Sequence, residues 1–307
     1  MKAIIYTKSD PSNVLQLMDV PKPEPKENQV LIKVYAASIN ALDYRSFGSA
    51  GKVLGADIAG VVEVVGSNVK QFQPGDDVFG VSAGSVGGFA EYASAIENQL
   101  ALKPANLSFE AAAAVPVAAI TALQGLCDKI QPGQKVLING AGGGVGTFAV
   151  QIAKAFGAEV TAVCSARNMK MARSIGADHV IDYAKENFTQ NGQQYDLIFA
   201  VNGFHPLSAY QRALTPQGRY VCAGGTMPQI LQAMLLGPFM SRKNGKKMGF
   251  MGIAKPNQKD LVYLKELLEA GKIVPVIEKR YPLSEVPSAI RYLLEGHARG
   301  KVVVQVG

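Results

Sequence analysis

The chain has 307 residues, 48% hydrophobic and 18% charged, enough apolar side chain to bury a large core in one or two domains. Its formal charge of +7 invites a nucleic-acid or anionic-membrane partner. However, the densest basic cluster, SRKNGKK from Ser241 to Lys247, has no interleaved aromatics and no accompanying nucleic-acid motif, so neither nucleic acid nor an integral membrane role is expected.

The first segment, MKAIIYTKSD, has a strand-like apolar pattern in place of the charged-then-apolar order of a signal peptide, so the default location is cytoplasmic. Over the first hundred residues, short β-rich runs (KAIIYT, QVLIKVYAAS, ADIAGVVEVVG, DDVFGVS, GGFAEYASA) alternate with Pro and Gly turns such as PKPEPKEN. That spacing predicts a partly closed β domain. From Phe109 the pattern changes to helix and strand in alternation, with FEAAAAVPVAAITALQGLCDKI read as one long helical stretch feeding the strand VLIN. DHVIDY, YDLIFAVNG, GRYVCAGG and KMGFMGIA follow as further strand units separated by helical segments, which builds a parallel sheet by right-handed crossovers. The tail supplies a helix DLVYLKELLEAGKI, a strand VPVIEKRYPL, a helix SEVPSAIRYLLEGHARG and a last strand KVVVQV.

The most informative stretch runs from Lys135 to Asn168, as strand, glycine-rich turn, helix and second strand. On the G-x-G-x-x-G template the motif falls on Ala141, Gly143 and Gly146, with alanine for the first glycine and extra glycines beside it. The loop Ala141, Gly142, Gly143, Gly144 and Val145 then lies at a helix N-terminus, where orphan N–H groups and the helix dipole favour a pyrophosphate. At the end of the second strand, an acid would bond the ribose hydroxyl of NAD and repel a 2′-phosphate. No acid occurs between Glu159 and Asp178, and Ser165 and Arg167 stand there. A hydroxyl followed by a guanidinium suits a phosphate, so NADPH is the expected cofactor. Lys170 and Arg173 read as the solvated face of the next helix.

Cys127, Cys164 and Cys222 are far apart in sequence and read as reduced structural thiols. A short-chain reductase is excluded, because no tyrosine is followed four residues later by lysine.

The chain resembles the zinc-independent quinone oxidoreductase branch of the medium-chain dehydrogenase/reductase superfamily along almost its full length. The resemblance runs through GADIAGVVEVVG (Gly55 to Gly66), QPGDDVFG (Gln73 to Gly80), GGFAEYA (Gly87 to Ala93), AAITALQGL (Ala118 to Leu126), GAGGGVG (Gly140 to Gly146), GADHVIDY (Gly176 to Tyr183) and HARGKVVVQV (His297 to Val306). It implies an α/β chain of two domains. A GroES-like β-rich catalytic domain would comprise residues 1–113 with 253–307, and a Rossmann doubly wound parallel-sheet domain residues 114–252. Cofactor and substrate would lie in the cleft between them, in a homodimer paired through nucleotide-domain edge strands.

In the zinc alcohol dehydrogenases of that superfamily, the segment matching GADIAG carries Gly-His-Glu, and a cysteine ligand lies in the stretch matching SINALDYRSF. Here Ala56 and Asp57 stand at the former, the latter has no cysteine, and the histidines are His179, His205 and His297. Catalytic zinc needs three protein ligands, so metal-free catalysis is expected. Without a Lewis acid, a conjugated acceptor (a quinone, or the C=C of an enone or alkenal) is favoured, because its developing charge spreads into an enolate or phenolate that needs only hydrogen-bond donors.

The resemblance places Asn40, Asp43 and Tyr44 beside nicotinamide and substrate, with Tyr44 as proton or hydrogen-bond donor and Asn40 orienting the acceptor oxygen. The local alternative for Asn40 and Asp43 is a turn pair capping its own backbone. Further cofactor positions carried over are Thr121 for the nicotinamide carboxamide, Tyr183, Asn202, Gly224, Gly225, Phe250, Met251 and Gly252. Lys301 also matches a family position, but a lysine opening a terminal strand reads as solvated. The competing reading of the whole is a non-enzymatic NADPH-binding or scaffold protein of the same fold.

Overall fold

Buried Ala3, Ile4 and Ile5 in KAIIY and buried Leu15 in LQLMD anchor the first strand pair of the computed structural model, which describes residues 1–7, 14–45, 51–296 and 298–307, with the backbone alone for Arg45 and residues 242–244. Residues 47–50 of the segment FGSAGKV lie outside the described residues, as does His297. Two compact units form. The first comprises Met1–Ile120, Lys255–Gly271 and Pro275–Gly307, and the second Thr121–Ala254 and Lys272–Val274.

In the first unit, β1 (Lys2–Tyr6) and β2 (Leu15–Asp19) pair antiparallel. Next come β3 (Gln29–Ile39), α1 (Ala41–Arg45), β4 (Asp57–Val65), β5 (Asp77–Val81), β6 (Tyr92–Ile96), β7 (Leu100–Leu102) and α2 (Phe109–Ala113). The helix α3 (Pro116–Leu126) carries the chain into the second unit. The stretch read as one long helix is therefore two. Pro116 lacks the N–H that a continuing helix would need, and disfavours helical backbone at the residue before it. α2 is closed at its start by Ser108, whose Oγ accepts from the Ala111 N–H, an N-cap bond.

The second unit contains β8 (Lys135–Asn139), α4 (Gly144–Ala155), β9 (Glu159–Cys164), α5 (Met169–Ser174), β10 (His179–Asp182), β11 (Tyr195–Ala200), α6 (Leu207–Arg212), β12 (Leu214–Cys222), α7 (Met227–Leu235), α8 (Gly237–Asn244) and β13 (Lys247–Phe250). Its sheet runs β10-β9-β8-β11-β12-β13, every pair parallel. This is the doubly wound order, with its switch point between β8 and β11. Leu137, Ile198, Ala200, Tyr210 and Tyr220 are buried in its core. Cys164 and Cys222 are buried and unoxidised, and Cys127 is free and half-buried.

The chain then returns to the first unit with α9 (Gln258–Glu269), β14 (Ile277–Pro282), α10 (Val286–Leu294) and β15 (Lys301–Gln305). The order is β14-β15-β3-β4-β5-β7, with β6 also on β3. The eleven-residue β3 is the hub. It pairs with β6 over Gln29–Lys33, with β15 over Ala36–Ile39, and with β4 along nearly its whole length. A register irregularity between Val34 and Ala36 marks where its partner changes. Val30, Ile32, Ile58 and Val78 form one buried cluster, and Ile4, Ile39, Phe89, Val302 and Val304 another. Among the described residues, no helix is long and apolar enough to cross a membrane.

Candidate active site

An aspartate in the apolar run ADIAGVV and a lysine opening KVVVQV are each costly to bury alone. Strand register gives them to each other. Ser38 of β3 stands opposite Asp57, the first residue of β4, and Ile39 stands opposite Val302, so Lys301 comes to lie beside the end of β3. Lys301 is 2% exposed and Asp57 fully buried, with Nζ 3.3 Å from Oδ2. The lysine expected to be solvated is thus an interior residue, because β15 is covered strand and not a free edge.

Asn40, immediately after β3, completes the cluster. Its Oδ1 accepts from Lys301 Nζ at 2.6 Å and its Nδ2 donates to Asp57 Oδ2 at 2.8 Å. Asp57 Oδ2 also accepts from Ser38 Oγ at 2.7 Å, and Oδ1 accepts from the Val117 N–H at 2.8 Å. Asp43 Oδ2 accepts from the Asn40 backbone N–H at 2.7 Å, so the capping bond that the local reading allowed is present. Asp43 Oδ1 is buried with no hydrogen-bond partner among the described residues. Burial is the main influence on this carboxyl and the Asp57 charge adds to it, raising its pKa to about 7 against the opposing pull of the Asn40 backbone N–H and of Lys301. Tyr44, on α1, is half-buried and packs against the cluster containing Ile39 and Val302. The structure brings Asn40 and Asp43 together and places Tyr44 on the same short segment. Ser38, Asp57 and Lys301 join them, and the sequence signal for that was the two charges embedded in apolar strands.

The residues expected to hold a dinucleotide all belong to the second unit. Parallel strands end at one edge of a sheet, and every strand of this one is followed there by an expected residue. The loop Ala141 to Gly143 follows β8, Ser165 and Arg167 follow β9, and Tyr183 follows β10. Asn202 follows β11, Gly224 and Gly225 follow β12, and Met251 and Gly252 follow β13, which ends on Phe250. Thr121 lies half-buried on α3. Ligands of open α/β sheets bind at that edge. Gly143 caps α4, and beyond its neighbours in sequence a methyl there would meet only Gly140 O, at 3.9 Å; at Gly146 it would lie 2.1 Å from the same oxygen. The loop therefore packs tightly against its helix at one glycine and leaves open space at the other, a cradle that fits a pyrophosphate.

Arg167 and Tyr183 are exposed and Ser165 half-exposed, while Phe250 packs partly on the core. Lys170 and Arg173 are exposed. Sequence reasoning missed Asn168, whose buried carboxamide lies against Gly142, with Nδ2 2.2 Å from where a Cβ would sit. In the basic cluster, Lys246 turns inward and donates to the Gln211 and Leu214 carbonyls.

A zinc ion does not fit the first unit's cluster. Ala56 offers no donor, both Asp57 oxygens are engaged, and the Lys301 ammonium would repel a cation. Among the described residues, no group of three or more His, Cys, Asp or Glu is placed to hold a metal.

The alcohol dehydrogenase GroES-like domain model matches residues 26–105, and the zinc-binding dehydrogenase model residues 175–304. The chain is 37% identical to the 2-methylene-furan-3-one reductase of Solanum lycopersicum, over 99% of this chain and 79% of that one. It is 35% identical, with the same coverage, to the chloroplastic NADPH-dependent alkenal/one oxidoreductase of Arabidopsis thaliana. The solved quinone oxidoreductase of Coxiella burnetii superposes with a TM-score of 0.89 at 31% identity, over 100% of this chain and 99% of that one.

Proposed function

The chain belongs to the zinc-independent quinone oxidoreductase branch of the medium-chain dehydrogenase/reductase superfamily, and from that membership we propose that it is an NADPH-dependent reductase of conjugated acceptors, working without a metal. The observation that carries the reading is the buried Lys301–Asp57 pair, which holds the Asn40 carboxamide between its two charges, in the segment where the resemblance puts zinc ligands in the zinc relatives. A site built this way offers hydrogen-bond donors and fixed charge but no Lewis acid. That matches acceptors whose charge delocalises into an enolate or phenolate, as the names of the tomato and Arabidopsis relatives suggest.

When bound, the nicotinamide supplies the hydride, and the remaining requirements fall on the chain. The α4 N-terminus and the loop from Ala141 to Val145 seat the pyrophosphate. Ser165 and Arg167 take the 2′-phosphate by charge-assisted bonds, with no acid nearby in sequence to repel it. Thr121, Tyr183, Asn202, Gly224, Gly225 and the segment Phe250 to Gly252 complete the cofactor surface. Among the described residues the Asn40 Nδ2 donates to Asp57 alone, leaving one N–H, and Tyr44 has a hydroxyl; these are the donors to the acceptor oxygen, where one placed donor is worth about 3 kcal/mol of barrier. Asp43 is the proton-exchanging group. β13 is an edge strand, pairing with β12 alone among the described strands, and a homodimer through that edge belongs to the reading.

The test is oxidation of NADPH, with NADH in parallel, against quinones, enones, alkenals and simple ketones, in the presence of a chelator. Turnover of the conjugated acceptors with NADPH preferred is expected. Tight NADPH binding with no turnover across the panel would replace this reading with that of a binding protein, and loss of activity to the chelator would refute metal-free catalysis.

A further inference from the structure

Three elements distant in sequence meet at the Asn40 carboxamide. Lys301 Nζ has three donors, and three acceptors face it: Asn40 Oδ1 at 2.6 Å, Asp57 Oδ2 at 3.3 Å and the Ile39 carbonyl at 3.3 Å. The ammonium is therefore fully engaged inside the fold and has nothing left for a substrate. The carboxamide is held with its oxygen on a cation and its nitrogen on an anion, and turning it over would reverse both contacts at once. Its orientation is fixed by charge, where an ordinary buried amide is fixed by weaker neutral bonds.

Stability alone does not account for such a pair. Buried ion pairs are commonly no more stabilising than apolar side chains of the same volume, because desolvation offsets the attraction. Asp43 is tied to Asn40 as well, its Oδ2 accepting from the Asn40 backbone N–H at 2.7 Å, and the two charges act on its buried carboxyl in opposite senses, Asp57 raising and Lys301 lowering its pKa.

We propose that Lys301 and Asp57 are positioning residues of the active site: their ion pair aims the Asn40 carboxamide and sets the electrostatic field at Asp43. The inference rests on the reductase reading of Asn40 and Asp43, but its physical content is measurable without activity.

The test is the titration of the Asp43 carboxyl by carbon NMR, assigned by its loss in Asp43→Asn, in the full chain and in two variants. Lys301→Met removes the lowering charge and should move the midpoint up. Asp57→Asn removes the raising charge and should move it down, each by about one pH unit. Shifts in opposite directions support the inference, whereas no shift, or shifts of the same sign, overturns it. Opposite shifts with a pH–rate profile that does not follow them would keep the positioning role and refute Asp43 as the proton-exchanging group of the reductase. If either single variant fails to fold, the double variant Lys301→Met/Asp57→Asn removes both charges together. In it the Asn40 side-chain amide protons should exchange with solvent at least about tenfold faster, one factor of ten corresponding to about 1.4 kcal/mol of lost restraint. Unchanged exchange would overturn the claim that the pair holds them.

Discussion

Gly143, which caps α4, and Gly146, in its first turn, should respond to alanine in opposite ways. At Gly146 the added methyl would lie 2.1 Å from Gly140 O and 2.7 Å from Ala141 Cα. Both neighbours are backbone, so neither can rotate away, and the loop must part from α4. Overpacking of this kind costs about 1–3 kcal/mol. At roughly 2–4 °C per kcal/mol, Gly146→Ala should lower the melting temperature by on the order of 5 °C. At Gly143 the methyl meets only Gly140 O at 3.9 Å, and the backbone φ of −90° suits any residue, so Gly143→Ala should melt close to the parent. Its methyl would instead enter the space proposed for pyrophosphate at the helix N-terminus, and on that reading NADPH should bind about tenfold more weakly, or about 1.4 kcal/mol. Thermal denaturation and fluorescence titration of NADPH separate the two effects. An unchanged melting temperature for Gly146→Ala would refute the steric reasoning, and wild-type NADPH affinity in Gly143→Ala would refute the assignment of this loop to the pyrophosphate.

Arg167→Ala should weaken NADPH by about tenfold or more, the value of a hydrogen bond to a charged group being roughly 1.5–3 kcal/mol, while leaving NADH nearly unaffected; equal losses for both, measured by titration, would remove the 2′-phosphate from Arg167. Asn257 caps α9, its Oδ1 accepting from the Asp260 N–H at 2.9 Å and its Nδ2 donating to Asp260 Oδ2, so Asn257→Ala should cost about 1 kcal/mol in denaturant unfolding with cofactor affinity unchanged.

The nucleotide unit was largely legible because its signals are local. A short apolar strand, a glycine turn and an amphipathic helix declare themselves within thirty-odd residues, and repeating that unit specifies a parallel sheet. The first unit was legible in its strands but not in its site. Nothing near Lys301 in sequence says that its strand lies beside β3, so the local pattern of a solvated lysine gives no sign of a contact set by register across 261 positions. Asp57 gave a usable warning, since a carboxylate amid ADIAGVV demands a partner, but its choice among the chain's cations is a tertiary fact. The same holds for Asn168, whose role against Gly142 depends on where two neighbouring strand ends fall. At Pro116 the local break outweighs the alanine-rich helix propensity on both sides of it.

The hub strand β3 imposes an order of events on the chain as it is made. Every residue assigned to the dinucleotide precedes position 255, whereas the cation that orients Asn40 is residue 301. During synthesis from the N-terminus, domains fold as their residues emerge, so the nucleotide unit has its complete sequence while Asp57 still waits for its counter-charge. Until β15 docks on β3, the first unit carries a carboxylate with no buried cation to meet, an arrangement that favours a loose, hydrated β3–β4 end over a closed one. On the proposed function, the residues assigned to the cofactor are thus all present in the growing polypeptide before the lysine that orients Asn40.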